Sequence, residues 1–277
     1  MIVVTGATGN VGRPLVEVLA AAGERVTAVS RRPAELPKGV AHRQADLAEP
    51  KSLRPALDGA EALFLLVAGS GEKIDPHAIV DVAKAAGVRR VVLLSSQGAG
   101  TRPESVAHSH LRAFEDVIRE STMTSTVLRP GGFASNAFAW AATVRAERAL
   151  AAPFGDVGLP MIDPVDIAEV AAVALRDRSH AGRTYELTGP APVSPRQAAQ
   201  AIGAALGVPV RFAEQSRDEA RAQMLRFMPE VVVDATLSIL GEPSPTEQQV
   251  SPAVEQVLGR GPRTFAEWAV RNAAAFR

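Results

Sequence analysis

Cysteine is absent from the 277 residues, which excludes disulfides, thiolate metal sites and a cysteine nucleophile. Neither sign of charge is in excess. Thirty basic side chains balance thirty acidic ones, so no global field favours nucleic acid or an anionic membrane. No apolar run approaches the ~20 residues that span a bilayer. The N-terminus reads as a core strand and lacks the basic leader of a signal peptide. A cytoplasmic protein bound to neither nucleic acid nor membrane is expected. Aromatic residues are few, 4% against 47% hydrophobic, so the core rests on Val, Leu and Ala, and a single tyrosine, Tyr185, serves the whole chain.

What is present starts at once. Ile2-Val3-Val4 leads into Thr5-Gly6-Ala7-Thr8-Gly9-Asn10-Val11-Gly12, and the amphipathic Leu15, Val16, Val18 and Leu19 follow. Strand, glycine turn and helix in that order form a dinucleotide-binding fingerprint. Gly6 lets the chain leave the strand in a tight turn, Gly9 lets backbone approach a pyrophosphate, and Gly12 lets the helix pack closely on the strand. The helix start then offers N–H groups and a positive dipole end to the phosphates.

The first half alternates short apolar runs with helical patterns, the signature of βαβ units on a doubly wound parallel α/β Rossmann sheet. Strands are expected at 2–4, 25–29, 40–44, 62–67, 90–94 and 124–128, with helices at 11–22, 50–57, 75–86 and 107–120. After Pro130 the alternation fades. Helical patterns cover 137–150, 167–175, 195–206, 216–226 and 264–276, with a strand at 184–187 and Asp166 as an N-cap, Pro164 just outside its helix. These patterns predict a Rossmann domain over 1–132. A smaller, mostly helical lobe over 133–277 would bind substrate, with 163–190 returning to the core.

The end of the second strand discriminates between nicotinamide cofactors. An acidic residue there would accept a ribose 2′-OH; this chain has Ser30-Arg31-Arg32, a hydroxyl and two forked cations suited to a 2′-phosphate. NADP(H) is the expected cofactor. Asp46-Leu47 after the third strand has two readings, a carboxylate and backbone beside the adenine or an N-cap for the following helix. Val67-Ala68-Gly69 ends the fourth strand alongside the cofactor ribose, and Ser95-Ser96 ends the fifth where a nicotinamide would lie.

Together these residues resemble the NmrA-like group of atypical short-chain dehydrogenase/reductases. The matching motifs are Thr-Gly-Ala-Thr-Gly-x-x-Gly at 5–12, Leu-Leu-Ser-Ser at 93–96, Thr126 through Phe133 with Asn136, Asp163–Ile167, and Gly182 through Gly189. The resemblance covers residues 1 to about 190. It implies NADP(H) binding, with Pro130, Gly131 and Phe133 among the cofactor contacts, and a small substrate lobe. The group holds both quinone reductases and non-catalytic redox sensors, so both functions are implied.

One departure bears on mechanism. Short-chain dehydrogenases carry Tyr-x-x-x-Lys on the helix after the serine strand, the tyrosine protonating the reduced carbonyl. This chain has Ala107-His108-Ser109-His110-Leu111-Arg112-Ala113-Phe114-Glu115. His108 and His110 are the substitute proton donors, the alternative being polar surface or capping residues; Ser95 joins them as a substrate or carboxamide contact, the alternative being a turn serine. The pair is not at the i, i+4 spacing of two metal ligands on one helical face, and no metal is expected. The leading expectation is an NADPH-dependent reductase of a quinone-like or conjugated carbonyl small molecule, whose product anion needs little help from an acid. The apolar Phe133, Phe138, Trp140 and Phe154 would serve its substrate lobe. The alternative is an NADP(H)-sensing regulatory protein that turns nothing over. Monomer and homodimer both remain open.

Overall fold

The computed structural model describes residues 1–67 and 73–277. In chain order the elements are β1 (Ile2–Val4), α1 (Gly12–Ala21), β2 (Val26–Ser30), β3 (Ala41–Gln44), α2 (Arg54–Leu57), β4 (Ala62–Leu66), α3 (Pro76–Ala85), β5 (Arg90–Leu94), α4 (Gln97–Thr101), α5 (Ser109–Glu120) and β6 (Thr124–Pro130). They continue with α6 (Ala141–Glu147), β7 (Ala149–Ala152), α7 (Pro164–Arg176), β8 (Thr184–Leu187), α8 (Pro195–Leu206), β9 (Arg211–Glu214), α9 (Arg217–Met224), α10 (Glu230–Gly241), α11 (Pro245–Gln248), α12 (Ala253–Leu258) and α13 (Phe265–Arg271). Short 3₁₀ turns precede α2, α5 and α6 and follow α7 and α13. Among the described residues no helix is long and apolar enough to cross a membrane.

Two compact units emerge, one of Met1–Pro130 with Pro164–Glu186, the other of Gly131–Asp163 with Leu187–Arg277. The first carries a seven-stranded sheet in the order β3-β2-β1-β4-β5-β6-β8. Pairings from β3 through β6 are parallel. At β8 the bonds Val127 N–H to Arg183 O and Gly131 N–H to Leu187 O keep one offset, as a parallel pair requires. The inner strands β1, β4 and β5 are apolar because both faces are covered and read as near-continuous runs, whereas the edge strand β3, Ala-His-Arg-Gln, is largely exposed.

Alternation along the strands sends Val3, Leu63, Leu65, Val91 and Leu93 into one core with Ile79, Phe114 and Ile118 of α3 and α5. The opposite face lies under α1 and α7, which pack against each other. The alanine-rich α7 permits that close approach, with Ala168, Ala171 and Ala174 fully buried. Each large apolar side chain removed from water contributes roughly 1.5–3 kcal/mol. The chain runs outward from β1 to β3 and returns to β4 on β1's other side, which creates the switch point where such sheets bind ligands, beyond the strands' carboxyl ends.

The second unit pairs β7 with β9 in parallel. Its core joins Val144, Leu150, Ile202, Phe265, Trp268 and Phe276. A small satellite core sets Val233 and Leu237 of α10 on Ala220 of α9, with Phe154 packed against it.

Several sequence expectations need correction. The helix expected over 137–150 is a 3₁₀ turn at Ala134–Trp140, then α6, then strand β7. Arg148 takes a left-handed φ of 49° and ends α6 where no glycine marks the stop. Pro164 is the first residue of α7, not outside it, so Asp166 lies in the first turn rather than at the N-cap. Proline suits that first position because its missing N–H would have no helical partner there.

Candidate active site

The glycine loop joins β1 to α1 with its tip exposed at Thr8-Gly9-Asn10 and its flanks, Ala7, Val11 and Gly12, buried. Gly6 has φ +62°, which favours glycine. A Cβ on Gly12 would lie 2.1 Å from Gly6 O, so the helix start and the turn touch backbone to backbone. Gly9 differs: its Cβ would meet only Gly6 O, at 3.3 Å, leaving the outward side open for an approaching phosphate. α1 begins without a side-chain cap and without an acidic residue in its first turn. Its positive end is left for an anion. The cradle formed by residues 6–12 has the open side and the uncapped helix start that fit a pyrophosphate.

Thr5 has a different task. Its hydroxyl donates to Phe64 O at 3.1 Å and accepts from Leu66 N–H at 2.8 Å, stitching β1 to β4 at the switch point. Ser30 is likewise occupied, donating to Arg32 O at 2.5 Å and lying 2.9 Å from His42 Nε2. That bond shapes the turn that puts Arg31 and Arg32 on the surface, where neither guanidinium has an ion-pair partner among the described residues. Asp46 accepts from Ala48 N–H at 3.0 Å and so organises the turn after β3; the helix cap itself is Glu49. Leu47 and Val67 pack on the first core. Ala68 and Gly69 lie outside the described residues.

The end of β5 is held by a buried charge cluster. Ser95 donates to Glu115 Oε1 at 2.5 Å. Glu115, 1% exposed, receives a forked pair from Arg129 at 3.0 and 2.6 Å and a further bond from Arg119 at 2.6 Å. Burial alone would raise the Glu115 carboxyl; hydrogen bonds from Arg129 and Ser95, with the guanidinium charges, outweigh it and hold the group below its ordinary value. Arg129 also reaches Glu186 at 3.5 Å. Burial raises Glu186, whose Oε2 is sequestered without a hydrogen-bond partner. Neither carboxylate was singled out from the sequence as a site residue. The signal was a glutamate amid apolar α5 positions, on the face with Leu111, Phe114 and Ile118.

Ser96 caps α4, accepting from Gly98 N–H at 3.2 Å. Gly98 is required there because a Cβ would sit 2.5 Å from His108 Nε2. His108 Nδ1 meets Ser105 Oγ at 3.3 Å, so this imidazole is braced between α4 and its own turn. His110 is half-buried in the first turn of α5, and burial lowers its pKa, so it is mostly neutral at pH 7. Tyr185 lies on β8 with its hydroxyl 2.8 Å from His180 Nδ1.

Pro130 closes β6, whereas Gly131 and Phe133 belong to the second unit. Gly131 N–H donates to Leu187 O at 2.9 Å, and Phe133 forms a parallel bridge with Ile162. The aromatics expected to line a substrate lobe take part in packing. Phe138 lies on Trp268 and Phe276, Trp140 on the second unit's core, and Phe154 on Gly241.

Two cavities flank the first unit's sheet. One, about 520 Å³, touches the glycine loop at Ala7 and Thr8. The other, about 460 Å³, lies at the strands' amino edge beside Ile2, Ala62, Arg90 and Thr124 and holds none of the candidate residues.

The NAD(P)H-binding family model matches residues 6–178. The chain is 35% identical to the (4-alkanoyl-5-oxo-2,5-dihydrofuran-3-yl)methyl phosphate reductase of Streptomyces griseus, covering all of this chain and 99% of that one. It is 33% identical to the NAD(P)H azoreductase of Xenophilus azovorans over the same shares. The NADPH-dependent quinone oxidoreductase of Escherichia coli, solved with NADPH, superposes with a TM-score of 0.82 at 26% identity, over 98% of this chain and 99% of that one. The glycine cradle, the 3-2-1-4-5-6 strand order and these relatives agree: the chain belongs to the NAD(P)H-binding atypical short-chain dehydrogenase/reductases and is an NAD(P)H-dependent oxidoreductase.

Proposed function

We propose that this oxidoreductase prefers NADPH and reduces quinone-like or other conjugated carbonyl small molecules without a tyrosine proton donor. The start of α5 carries the reading: it presents His108 and His110 where the family pattern has Tyr-x-x-x-Lys, while the one tyrosine is engaged by His180 on β8. An isolated ketone becomes an alkoxide on reduction and needs an acid at once. A conjugated acceptor spreads the new charge over its π system and can take its proton later. The substrate named for the Streptomyces relative is of this kind, a dihydrofuranone ring bearing an alkanoyl group, and quinones and azo compounds are too.

The residues divide the work. The 6–12 loop and the α1 start hold the pyrophosphate, Arg31 and Arg32 take the 2′-phosphate, and Ser95 is fixed by Glu115 beside the site at the end of β5. When bound, the reduced nicotinamide supplies the hydride. The Ser95 hydroxyl donates its hydrogen bond to Glu115 and so offers lone pairs, suited to accept a bond from a carboxamide N–H rather than to act as an acid. The lowered His110 holds little charge at pH 7 and becomes a stronger donor on acidification.

NADPH and NADH oxidation across quinones, enones and simple ketones tests the reading. Quinones and enones should be reduced and ketones left untouched. Arg31→Ala/Arg32→Ala should weaken NADPH binding by about 10²–10⁴-fold and leave NADH binding unchanged, since each of the two charge-assisted contacts contributes about 1.5–3 kcal/mol. If His110 donates, His110→Gln should lower kcat by ~10² and remove a rise in rate toward acid pH. Ketones reduced as fast as quinones, or equal losses for both cofactors, would count against it.

A further inference from the structure

We propose that Arg13 is a third basic contact for the cofactor's 2′-phosphate and that Glu17 restrains it. The inference rests on the NADPH preference assigned to Arg31 and Arg32 and extends it to a residue of α1. Arg13 is the second residue of that helix. A cation there opposes the positive end of the macrodipole, where acidic side chains are favoured, and the first turn has no acid to offset it. A local rule broken for no more than one exposed i,i+4 pair points to a task outside the helix.

Its ion-pair partner among the described residues is Glu17, 3.3 Å from Nε and one turn on, with the two side chains 70% and 53% exposed. Exposed pairs of this kind hold loosely, so the guanidinium can leave Glu17 and fork onto a phosphate. The 520 Å³ cavity places this exchange. Its lining includes Thr8 from the glycine loop, Arg13 and Glu17 from α1, and residues 34–37 after β2. Ala7 N–H donates to Val29 O at 3.2 Å, which sets this wall against the last turn of β2, where the ribose 2′ position is read. Arg31 and Arg32 stand on the same connection but do not line the cavity; the guanidinium it presents is Arg13. Glu17 and Glu35 also line it, so even with Arg31 and Arg32 counted the balance is three cations to two carboxylates. Selectivity for a phosphate therefore turns on whether Arg13 is engaged by Glu17.

Calorimetric titration with 2′,5′-ADP and 5′-AMP, which differ by the 2′-phosphate alone and lack nicotinamide, reads binding apart from activity. The wild type should prefer 2′,5′-ADP. Arg13→Ala should lose about tenfold of that preference, and Arg13→Lys less because the fork is gone but the charge remains. Glu17→Gln should tighten 2′,5′-ADP about two- to threefold. Affinity for 5′-AMP should change far less than that for 2′,5′-ADP throughout, and the thermal midpoint of Arg13→Ala should not fall. A wild type that binds both ligands alike overturns the NADPH reading and this proposal with it. A wild-type preference that survives unchanged in Arg13→Ala overturns this proposal alone, as does an equal loss for both ligands.

Discussion

Gly12→Ala should abolish NADPH binding and destabilise the protein by about 1–3 kcal/mol or more, whereas Gly9→Val should abolish binding and leave stability within about 0.5 kcal/mol of wild type. The two glycines sit three residues apart in one loop and fail for different reasons. At Gly12 the added methyl meets Gly6 O at 2.1 Å, Gly6 C at 2.7 Å and the Ala7 Cα at 2.9 Å, all backbone, so α1 must shift. At Gly9 the φ is not left-handed and an added Cβ would meet Gly6 O alone, a tight contact at 3.3 Å that calls for a small shift, but a branched side chain fills the open side of the cradle. Urea denaturation and NADPH fluorescence titration separate the outcomes. Normal NADPH binding by Gly9→Val would remove the phosphate-loop assignment, and an undisturbed Gly12→Ala would show that the backbone contact yields without cost.

Replacing Glu115 with leucine should cost about 3–5 kcal/mol, because it strands the Ser95 hydroxyl and leaves the mostly buried Arg129 only its 3.5 Å contact with Glu186. Glu115→Gln, which keeps an acceptor, should cost less. The pH dependence has a definite sign. A carboxyl held lower in the folded state than in the unfolded chain contributes stability that is fully present above the unfolded value near 4.5 and is lost as pH falls through the folded value. The gap between wild type and Glu115→Leu should therefore narrow on acidification from pH 5 downward. Denaturant midpoints over that range decide it; a gap under about 1 kcal/mol at pH 7, or one that widens in acid, would show that the cluster does not stabilise the fold.

The first unit was largely legible because its inner strands are buried on both faces. Ala62 through Leu66 and Arg90 through Leu94 admit few other readings, and the glycine loop carries its own chemistry in its spacing. Legibility failed where structure depends on partners distant in sequence. Ala149–Ala152 has helix-forming composition and extends a helical pattern, yet it pairs with Arg211–Glu214, about sixty residues on. Helix α4, Gln-Gly-Ala-Gly-Thr, has little intrinsic propensity; Ser96 caps it, and its glycines make room for His108 and Arg129. At the site, Ser95, Thr5 and Ser30 stand where ligand contacts were expected, but their hydroxyls serve neighbouring chain. The Glu115–Arg129 pair, fourteen residues apart, leaves no periodic trace.

The excursion of Pro164–Glu186 into the first unit bears on how such a chain can be rearranged. A fragment ending at Pro130 would contain the glycine loop and Ser30-Arg31-Arg32, yet it would lack α7 and β8. Leu15, Val16 and Leu19 of α1 would lose the helix that packs beside them, and β6 would become a bare edge. Gene fusion or exchange of the recognition half between relatives thus requires three splice points, at 130/131, 163/164 and 186/187. A single crossover would divide at least one unit between two parents, whereas point changes leave both units whole.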